Sequence, residues 1–151
     1  MSEIRIATGI ARRGDDVLLV ASRYANHSDA LWTLPGGRIE PNELAPEAVV
    51  REVLEETGLV ARVDELAYAS ESYDGATHVV NLTFAIWVDG EPHVPHEADH
   101  VIDAAWVPIS ELSDRMKVAV VREPLLAYLR GSAERYYGFH HAGVTIEWPS
   151  E

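Results

Sequence analysis

The chain has 151 residues, 47% of them hydrophobic and 25% charged, which is an ordinary globular composition and enough chain for one domain with a sizeable core. The formal net charge of −13 argues against a nucleic-acid backbone as the main partner, because that partner requires a basic surface, whereas nucleotides can still bind through cations. The absence of cysteine excludes disulfides, thiolate metal sites and thiol nucleophiles.

The first half of the chain predicts strands followed by one long helix. The predicted strands are Ile4–Arg12, Val17–Ser22 and Leu31–Leu34. A turn at Gly14-Asp15-Asp16 joins the first two, and a polar loop over residues 23–30 leads to the third. Pro35-Gly36-Gly37 then precedes a predicted helix over Ala45–Thr57, whose start lacks a capping Ser or Thr.

The second half predicts further strands and shorter helices. The predicted strands are Leu59–Ser70, His78–Asp89, Val101–Val107 and Gly143–Trp148. A turn at Tyr73-Asp74-Gly75 separates the first two, and Glu91–Asp99, with its prolines and acids, is a surface loop. One helix begins near Ser110–Leu112 and another covers Val118–Leu129. This order predicts a mixed sheet between helices, the α/β class.

The helix over Ala45–Thr57 collects three carboxylates on one face. With about 100° of rotation per residue, Glu55 and Glu56 lie within about 60° of Glu52. The residues predicted on the opposite side, facing a core, are Val49, Val50, Val53 and Leu54. Because such crowded like charges repel, and because Mg²⁺ and Mn²⁺ prefer oxygen ligands, this face predicts a divalent metal site. The alternative is a solvated acidic helix face.

The spacing around this helix is more specific than its acidic face. The pattern Gly-x5-Glu-x7-Arg-Glu-Val-x-Glu-Glu-x-Gly-Leu is matched at every position by Gly37, Glu43, Arg51, Glu52, Val53, Glu55, Glu56, Gly58 and Leu59. Together with the preceding Leu31-Trp32-Thr33-Leu34-Pro35-Gly36, it resembles the signature box of the Nudix hydrolases. The resemblance covers about Ile4–Leu129 and implies a Nudix-type α/β/α sandwich with a mixed β-sheet. The expected organisation is a single domain over residues 1–151, with residues 130–151 as a C-terminal extension.

The resemblance also implies roles for the box residues. Its metal ligands would be Glu52, Glu55, Glu56 and the Gly36 carbonyl, with Mg²⁺ or Mn²⁺ as cofactor. Glu52 is the expected catalytic base or base-orienting ligand, and Arg51 is expected to pair with Glu43 or to brace Glu52. Gly37 and Gly58 are expected to act structurally, the latter as the left-handed residue that ends the helix.

Many Nudix enzymes have another carboxylate, which binds metal or acts as the catalytic base, just before the strand that here ends in Trp106-Val107-Pro108. Glu97 is our preferred candidate and Asp99 is the alternative. If Glu97 has no role in the reaction, it is a solvated acid of the loop. A second metal site formed by His93, His96 and His100 is a further interpretation, although their spacing fits no standard template.

Several aromatic and basic residues outside the box are candidates for contact with substrate. Trp32 is predicted either to stack on a base or to pack under the glycine segment. Arg23 and Tyr24 open the loop before it and are candidates for contact with a phosphate or base, and Tyr73 is a candidate at the border of the substrate site. A cluster near the C-terminus, formed by Tyr136, Tyr137 and Phe139, is expected to pack a terminal segment or a dimer contact.

The predicted reaction is metal-dependent hydrolysis of a phosphoanhydride in a nucleoside diphosphate linked to a group X, in which a carboxylate takes the proton of the attacking water. A nucleoside triphosphate, oxidised or not, is the first-ranked substrate and would give a monophosphate and pyrophosphate. A nucleotide sugar or a dinucleoside polyphosphate is the alternative, and the acidic balance disfavours a long RNA.

The sequence argues against two other classes of protein. A non-catalytic nucleotide-sensing domain usually loses box glutamates, which this chain keeps, and an isoprenoid diphosphate isomerase uses a cysteine, which this chain lacks. The expected partner is a small-molecule nucleotide, with a homodimer left open. Since residues 1–5 do not resemble a leader and no apolar run approaches a membrane span, the expected location is the cytoplasm, with no membrane association.

Overall fold

The computed structural model describes residues 2–143 of the chain. Its strands are β1 (Ser2–Arg13), β2 (Asp16–Ser22), β3 (Leu31–Thr33), β4 (Gly36–Arg38), β5 (Arg62–Asp74), β6 (Thr77–Trp87), β7 (Val101–Pro108) and β8 (Tyr136–Phe139). Its helices are α1 (Ala45–Thr57), α2 (Leu112–Arg115) and α3 (Ala119–Leu129), with a 3₁₀ turn at Ile109–Glu111 before α2. None of the helices within residues 2–143 combines the length and the apolar character needed to cross a bilayer.

The strands form one eight-stranded mixed sheet, as the sequence predicts. The order is β3-β2-β1-β6-β5-β8, while β4 also pairs with β1 and β7 with β2. β1 runs parallel to β6 along most of its length, from Ser2 opposite Thr77 to Ala11 opposite Ile86. The sheet therefore brings β1, β4 and β6 together at its centre, although they are far apart in the sequence.

Helices cover both faces of the sheet. In β2, Leu18 packs toward α1, whereas Val17 and Leu19 pack toward α2 and α3 on the opposite face, as the two-residue period of a strand requires. The cluster under α1 includes Val49, Val53 and Phe84. The cluster under α2 and α3 includes Leu112, Met116 and Leu125. The predicted α/β/α sandwich is confirmed.

One strand at the centre of the sheet was predicted as a loop. Gly36–Arg38 forms β4 and pairs antiparallel with Ile6–Thr8 of β1. Its ladder depends on the main chain, and two successive glycines give no alternating apolar pattern from which a strand could be recognised. This pairing fixes the glycine segment at the centre of the molecule.

The hairpin of β5 and β6 differs from its predicted bounds. β5 begins at Arg62 and continues through Tyr73 and Asp74, which were predicted as a turn. The turn consists instead of Gly75 and Ala76, with Gly75 at φ 62°, a conformation that glycine adopts without strain. A two-residue turn lets strand pairing continue to both of its ends, so the strands are longer than their apolar patterns indicate.

The C-terminal extension adds a strand that was not predicted. β8 lies parallel to β5 at the edge of the sheet, and its Tyr136 hydroxyl donates to the Glu71 carboxylate. Glu71 also lies 2.6 Å from His78 Nε2, and the Tyr137 ring meets Tyr68 edge-on, with centroids 5.5 Å apart. The aromatic cluster thus packs this terminal segment, one of its two predicted roles. The predicted strand Gly143–Trp148 lies, apart from Gly143, outside the described residues.

Candidate active site

The box helix has the predicted bounds. At each of its ends a backbone N–H group has a hydrogen-bond acceptor, either a glutamate side chain or a main-chain carbonyl. Leu44 has no polar side chain to cap α1, but Glu47 accepts the Leu44 N–H at 2.8 Å. At the other end Gly58 has φ 74°, and its N–H donates to the Leu54 carbonyl at 3.0 Å. The helix is therefore stable without the Ser or Thr cap that its sequence lacks.

The acidic face of α1 overlaps its buried face, and this corrects the sequence interpretation. Glu56, about 20° from Val49 around the helix axis, is only 6% exposed. Leu54 was predicted in the core and is 48% exposed. The burial of Glu56 is possible because the N–H of Gly36 in β4 donates to its Oε1 at 2.8 Å. A helical wheel gives angles between residues but does not locate the sheet.

The two glycines of β4 make room for this arrangement. A Cβ on Gly37 would lie 2.5 Å from the carboxyl carbon of Glu52. A Cβ on Gly36, whose φ is 153°, would lie 2.2 Å from the Ala7 carbonyl oxygen. Only glycine allows α1, β4 and β1 to approach so closely, which is why the acids can lie between helix and sheet.

Arg51 joins the acids of the box into one network. Its Nε donates to Glu43 at 2.7 Å, its Nη1 to Glu52 at 2.9 Å, and its Nη2 to the Arg38 carbonyl at 3.0 Å. Nη1 also lies 3.3 Å from Glu55. The hydrogen bond to Glu43 is the main reason that the pKa of Arg51 is raised, and the same bond lowers the pKa of Glu43. The guanidinium fork therefore pairs with Glu43 and braces Glu52 at once.

The pKa values of Glu52 and Glu56 are both raised above the ordinary value for glutamate. Burial raises the pKa of Glu52, and Arg51 opposes that shift. Burial raises the pKa of Glu56 well above its ordinary value, the Glu52 charge adds to the shift, and the Gly36 N–H opposes it. Because these pKa values are raised, the stability they contribute is present below the ordinary glutamate pKa and is lost as pH rises through the raised values. A bound cation would favour the charged forms and remove that loss.

The donor set suits a divalent cation, but it is not gathered around one point. Glu52, Glu55 and Glu56 offer the carboxylate oxygens that Mg²⁺ and Mn²⁺ prefer. Within residues 2–143, no group of three acidic, histidine or cysteine side chains lies close enough to hold an ion as arranged. Arg51 holds Glu52, whereas the exposed Glu55 can rotate. The chemistry of the residues therefore fits a divalent ion, but their side chains would have to rotate to surround one.

An acidic cleft of about 800 Å³ opens beside these glutamates. We use this name for the cleft lined by Glu40, Arg51, Glu52, Leu54, Glu55, Glu56, Gly58, His93, Pro95, Glu97, Ala98, Asp99, His100 and Val101. Glu97 and Asp99 both reach it, so the geometry does not choose between them. His93 and His100 both line the cleft, and the His93 ring lies against Gly58. His96 does not line the cleft, so the predicted histidine trio is not assembled there.

A smaller side cavity of about 220 Å³ adjoins the cleft. Its walls include Thr8, Tyr24, Asn81 and Val121. Asn81 was not predicted as a site residue, although a lone amide within the apolar run Val79-Val80-Asn81-Leu82 was a signal that could have found it. The Thr8 hydroxyl donates to Asn81 Oδ1 at 3.1 Å, which leaves the two N–H donors of the Asn81 amide outside this bond.

The acidic cleft and the side cavity share Glu52, Glu56 and His100. We call these three residues the junction. Because Glu52 and Glu56 border both cavities, a molecule that filled both would pass over these two carboxylates.

Three predicted substrate residues do not line either cavity. Trp32 packs on the core cluster under α2 and α3, with the Arg115 guanidinium 5.1 Å above its ring centre. Arg23 is exposed, and its N–H donates to the His100 carbonyl at 2.9 Å. Tyr73 stacks on His78 at 4.8 Å in the β5–β6 hairpin. Of the loop residues considered, Tyr24 alone has its side chain in the side cavity.

Comparison with known proteins places this geometry in a family. The family described as NUDIX domain matches residues 3–129. An ADP-ribose pyrophosphatase from Methanocaldococcus jannaschii is 39% identical over 84 residues, which are 54% of this chain and 49% of the relative. A CTP pyrophosphohydrolase from Escherichia coli K12 is 36% identical over 83 residues, or 54% of this chain and 60% of the relative.

The chain thus spans about half the length of the first of these relatives and somewhat more of the second. The solved structure of a MutT protein from Methanosarcina mazei Go1 has the same fold, with a TM-score of 0.74 at 22% identity over 88% of this chain and 97% of that one. With the family match extending over most of its length, the chain belongs to the Nudix hydrolase family.

Proposed function

We propose that this protein hydrolyses a phosphoanhydride bond in a nucleoside diphosphate linked to X, with Mg²⁺ or Mn²⁺ as cofactor. The observation that carries the proposal is the junction, where Glu52 and Glu56 border both cavities. A nucleoside held in the side cavity would extend its phosphates into the acidic cleft across these two carboxylates. An anionic chain beside buried acids requires cations between them, which is the arrangement of metal-assisted phosphoryl transfer.

The residues proposed to hold the cation are Glu52, Glu55, Glu56, Glu97 and the Gly36 carbonyl. The Gly36 peptide lies next to Glu56, because its N–H donates to that carboxylate. When bound, a divalent ion neutralises phosphate charge and acidifies a water molecule. Arg51 fixes the Glu52 carboxylate, and Glu52 accepts the proton of the attacking water.

The first-ranked substrate remains a nucleoside triphosphate that yields a monophosphate and pyrophosphate. The side cavity, at about 220 Å³, is smaller than the roughly 300–1,000 Å³ of sites for whole ligands, so it suits one base with part of its sugar. CTP and ADP-ribose, named for two relatives, both contain a nucleoside diphosphate linked to a further group. ADP-ribose-like molecules and dinucleoside polyphosphates are therefore the alternatives. A single domain and a cytoplasmic location remain predictions, and a homodimer remains an open alternative.

A hydrolysis screen in which the nucleotide products are separated by chromatography tests the proposal. The purified protein is assayed against nucleoside triphosphates, ADP-ribose, nucleotide sugars and dinucleoside polyphosphates, with Mg²⁺ and Mn²⁺ in separate series. We expect turnover of at least one nucleotide with either ion, and its loss in excess chelator, because the junction otherwise repels the phosphates. Full turnover with metal content verified as absent contradicts the metal requirement. Nucleotide binding without any turnover indicates the sensing domain instead.

The choice between Glu97 and Asp99 has its own prediction. Glu97→Gln is expected to lower kcat by about tenfold or more on every substrate, because it removes a metal ligand or base rather than a specificity contact. Glu91→Gln is the matched control, since Glu91 belongs to the same segment, pairs with Arg13 and does not line the cleft. A large loss with Asp99→Asn and none with Glu97→Gln would move the assignment to Asp99. A change in KM alone would show that Glu97 is a loop acid that neither binds the metal nor acts as the base.

A further inference from the structure

His100 is the one member of the junction that is not a box glutamate. It is the last residue before β7 and borders both the acidic cleft and the side cavity. Its carbonyl accepts the Arg23 N–H at 2.9 Å, which fixes its main chain to the end of β2. Its position therefore follows from the pairing of β7 with β2.

One ring nitrogen of His100 is buried. Among residues 2–143 its Nδ1 has no hydrogen-bond partner, and the Asp99 carboxylate oxygen is 3.9 Å away, beyond hydrogen-bond reach. The ring rests against Tyr24, with centroids 5.8 Å apart. Nε2 is not a buried atom without a partner, and 37% of the side chain is exposed. Because His100 borders both cavities, Nε2 is the ring nitrogen that a ligand at the junction could reach.

The junction has few donors for an anionic ligand. Besides Arg38, which lines the side cavity, the one arginine or lysine among the residues that line the two cavities is Arg51. Its nitrogens already donate to Glu43, to Glu52 and to the Arg38 carbonyl. A phosphate chain that passes over Glu52 and Glu56 therefore meets, in Arg51, a guanidinium that is already engaged, whereas His100 borders the same space.

We propose that His100 contacts the substrate, with Nε2–H donating a hydrogen bond to a non-bridging phosphate oxygen at the junction. The neutral imidazole can donate from Nε2, so the contact does not require a charged ring. It would hold the phosphate chain at the point where the side cavity ends and the buried carboxylates begin. This inference rests on the proposed function, because it assumes that phosphates occupy the junction.

The test compares His100→Phe, which keeps a ring against Tyr24 but removes both nitrogens, with His100→Gln, which retains an N–H donor. His96→Phe is the matched control in the same loop, since His96 does not line the cleft. We expect kcat/KM for the best nucleotide to fall by about 10- to 100-fold in His100→Phe, the effect of losing a hydrogen bond to a charged acceptor, with a partial recovery in His100→Gln. If His100→Phe does not fold, His100→Ala takes its place.

A binding measurement separates this inference from the proposed function. The affinity for a non-hydrolysable α,β-methylene nucleotide, measured by calorimetry with Mg²⁺ present, should fall by a similar factor in His100→Phe. The Mn²⁺ concentration for half-maximal activity should not change. Equal affinity and kcat/KM in His100→Phe and wild type overturn the inference. So does a raised Mn²⁺ requirement with unchanged nucleotide affinity, which would make His100 a metal ligand. A wild-type protein that binds the analogue but hydrolyses no nucleotide contradicts the proposed function alone.

Discussion

Glu52→Gln is expected to lower kcat by about 100-fold or more and to leave the fold intact. The amide has nearly the shape of the carboxylate, so it fits the space that Gly37 provides. It can no longer take a proton from water, and it is a poorer ligand for a divalent ion. Because burial already penalises the charged form of Glu52, while Arg51 stabilises it, the two effects on stability oppose each other and the net change in the free energy of unfolding should be small.

The measurement is steady-state kinetics with saturating metal, together with thermal unfolding of the same samples. Glu47→Gln is the matched control, since it removes the same charge from the exposed first turn of α1 and the amide oxygen can still accept the Leu44 N–H. A Glu52→Gln protein that unfolds normally and keeps nearly the wild-type kcat would show that the base is another residue.

Arg51→Met is expected to damage both stability and activity. It leaves Glu43 and Glu52, with side chains 14% and 16% exposed, without their charged donor, and it leaves the Arg38 carbonyl without the Arg51 N–H. Removing one partner of a largely buried ion pair costs about 3 kcal/mol. For a domain of this size we expect the Tm to fall by about 6–12 °C. The kcat should fall by about tenfold or more, because Glu52 loses its brace.

Arg51→Lys is the comparison that separates charge from geometry. Lysine keeps the charge but cannot donate to Glu43, to Glu52 and to the Arg38 carbonyl at the same time, so its losses should lie between those of wild type and Arg51→Met. Calorimetric unfolding and kcat are measured on all three proteins. If Arg51→Met unfolds at the wild-type temperature, the network does not hold α1 against β4. If Arg51→Lys equals wild type in kcat, the position of Glu52 does not depend on the fork.

The sequence predicted the features that depend on residues close together in the chain. The bounds of α1 and its end at Gly58 were correct, because helix periodicity and the left-handed preference of glycine act over a few residues. Helix periodicity also places Glu52, Glu55 and Glu56 on one face of the helix. The turn between β1 and β2, the loop before β7 and the start of α3 were also close to their predicted positions.

The sequence did not predict features that depend on pairing between distant segments. β4 was missed because its glycines show no pattern until β1 pairs with it, and β8 because four residues at a sheet edge give too little signal. For the same reason Leu54 was placed in the core, although it is 48% exposed. Which side of a helix or loop is covered is decided by the element packed against it.

By itself, then, the sequence determined the α/β class, the box helix, its acidic face and the resemblance that the family match confirmed. The tertiary structure alone decided that Glu56 is buried under the Gly36 N–H, that Asn81 faces a cavity, and that His100 meets Glu52 and Glu56 at the junction. The physical reason is that β4, α1, β6 and the start of β7 supply these residues from positions 36 to 100, and only the pairing of β1 with β4 and β6, and of β2 with β7, brings those positions together.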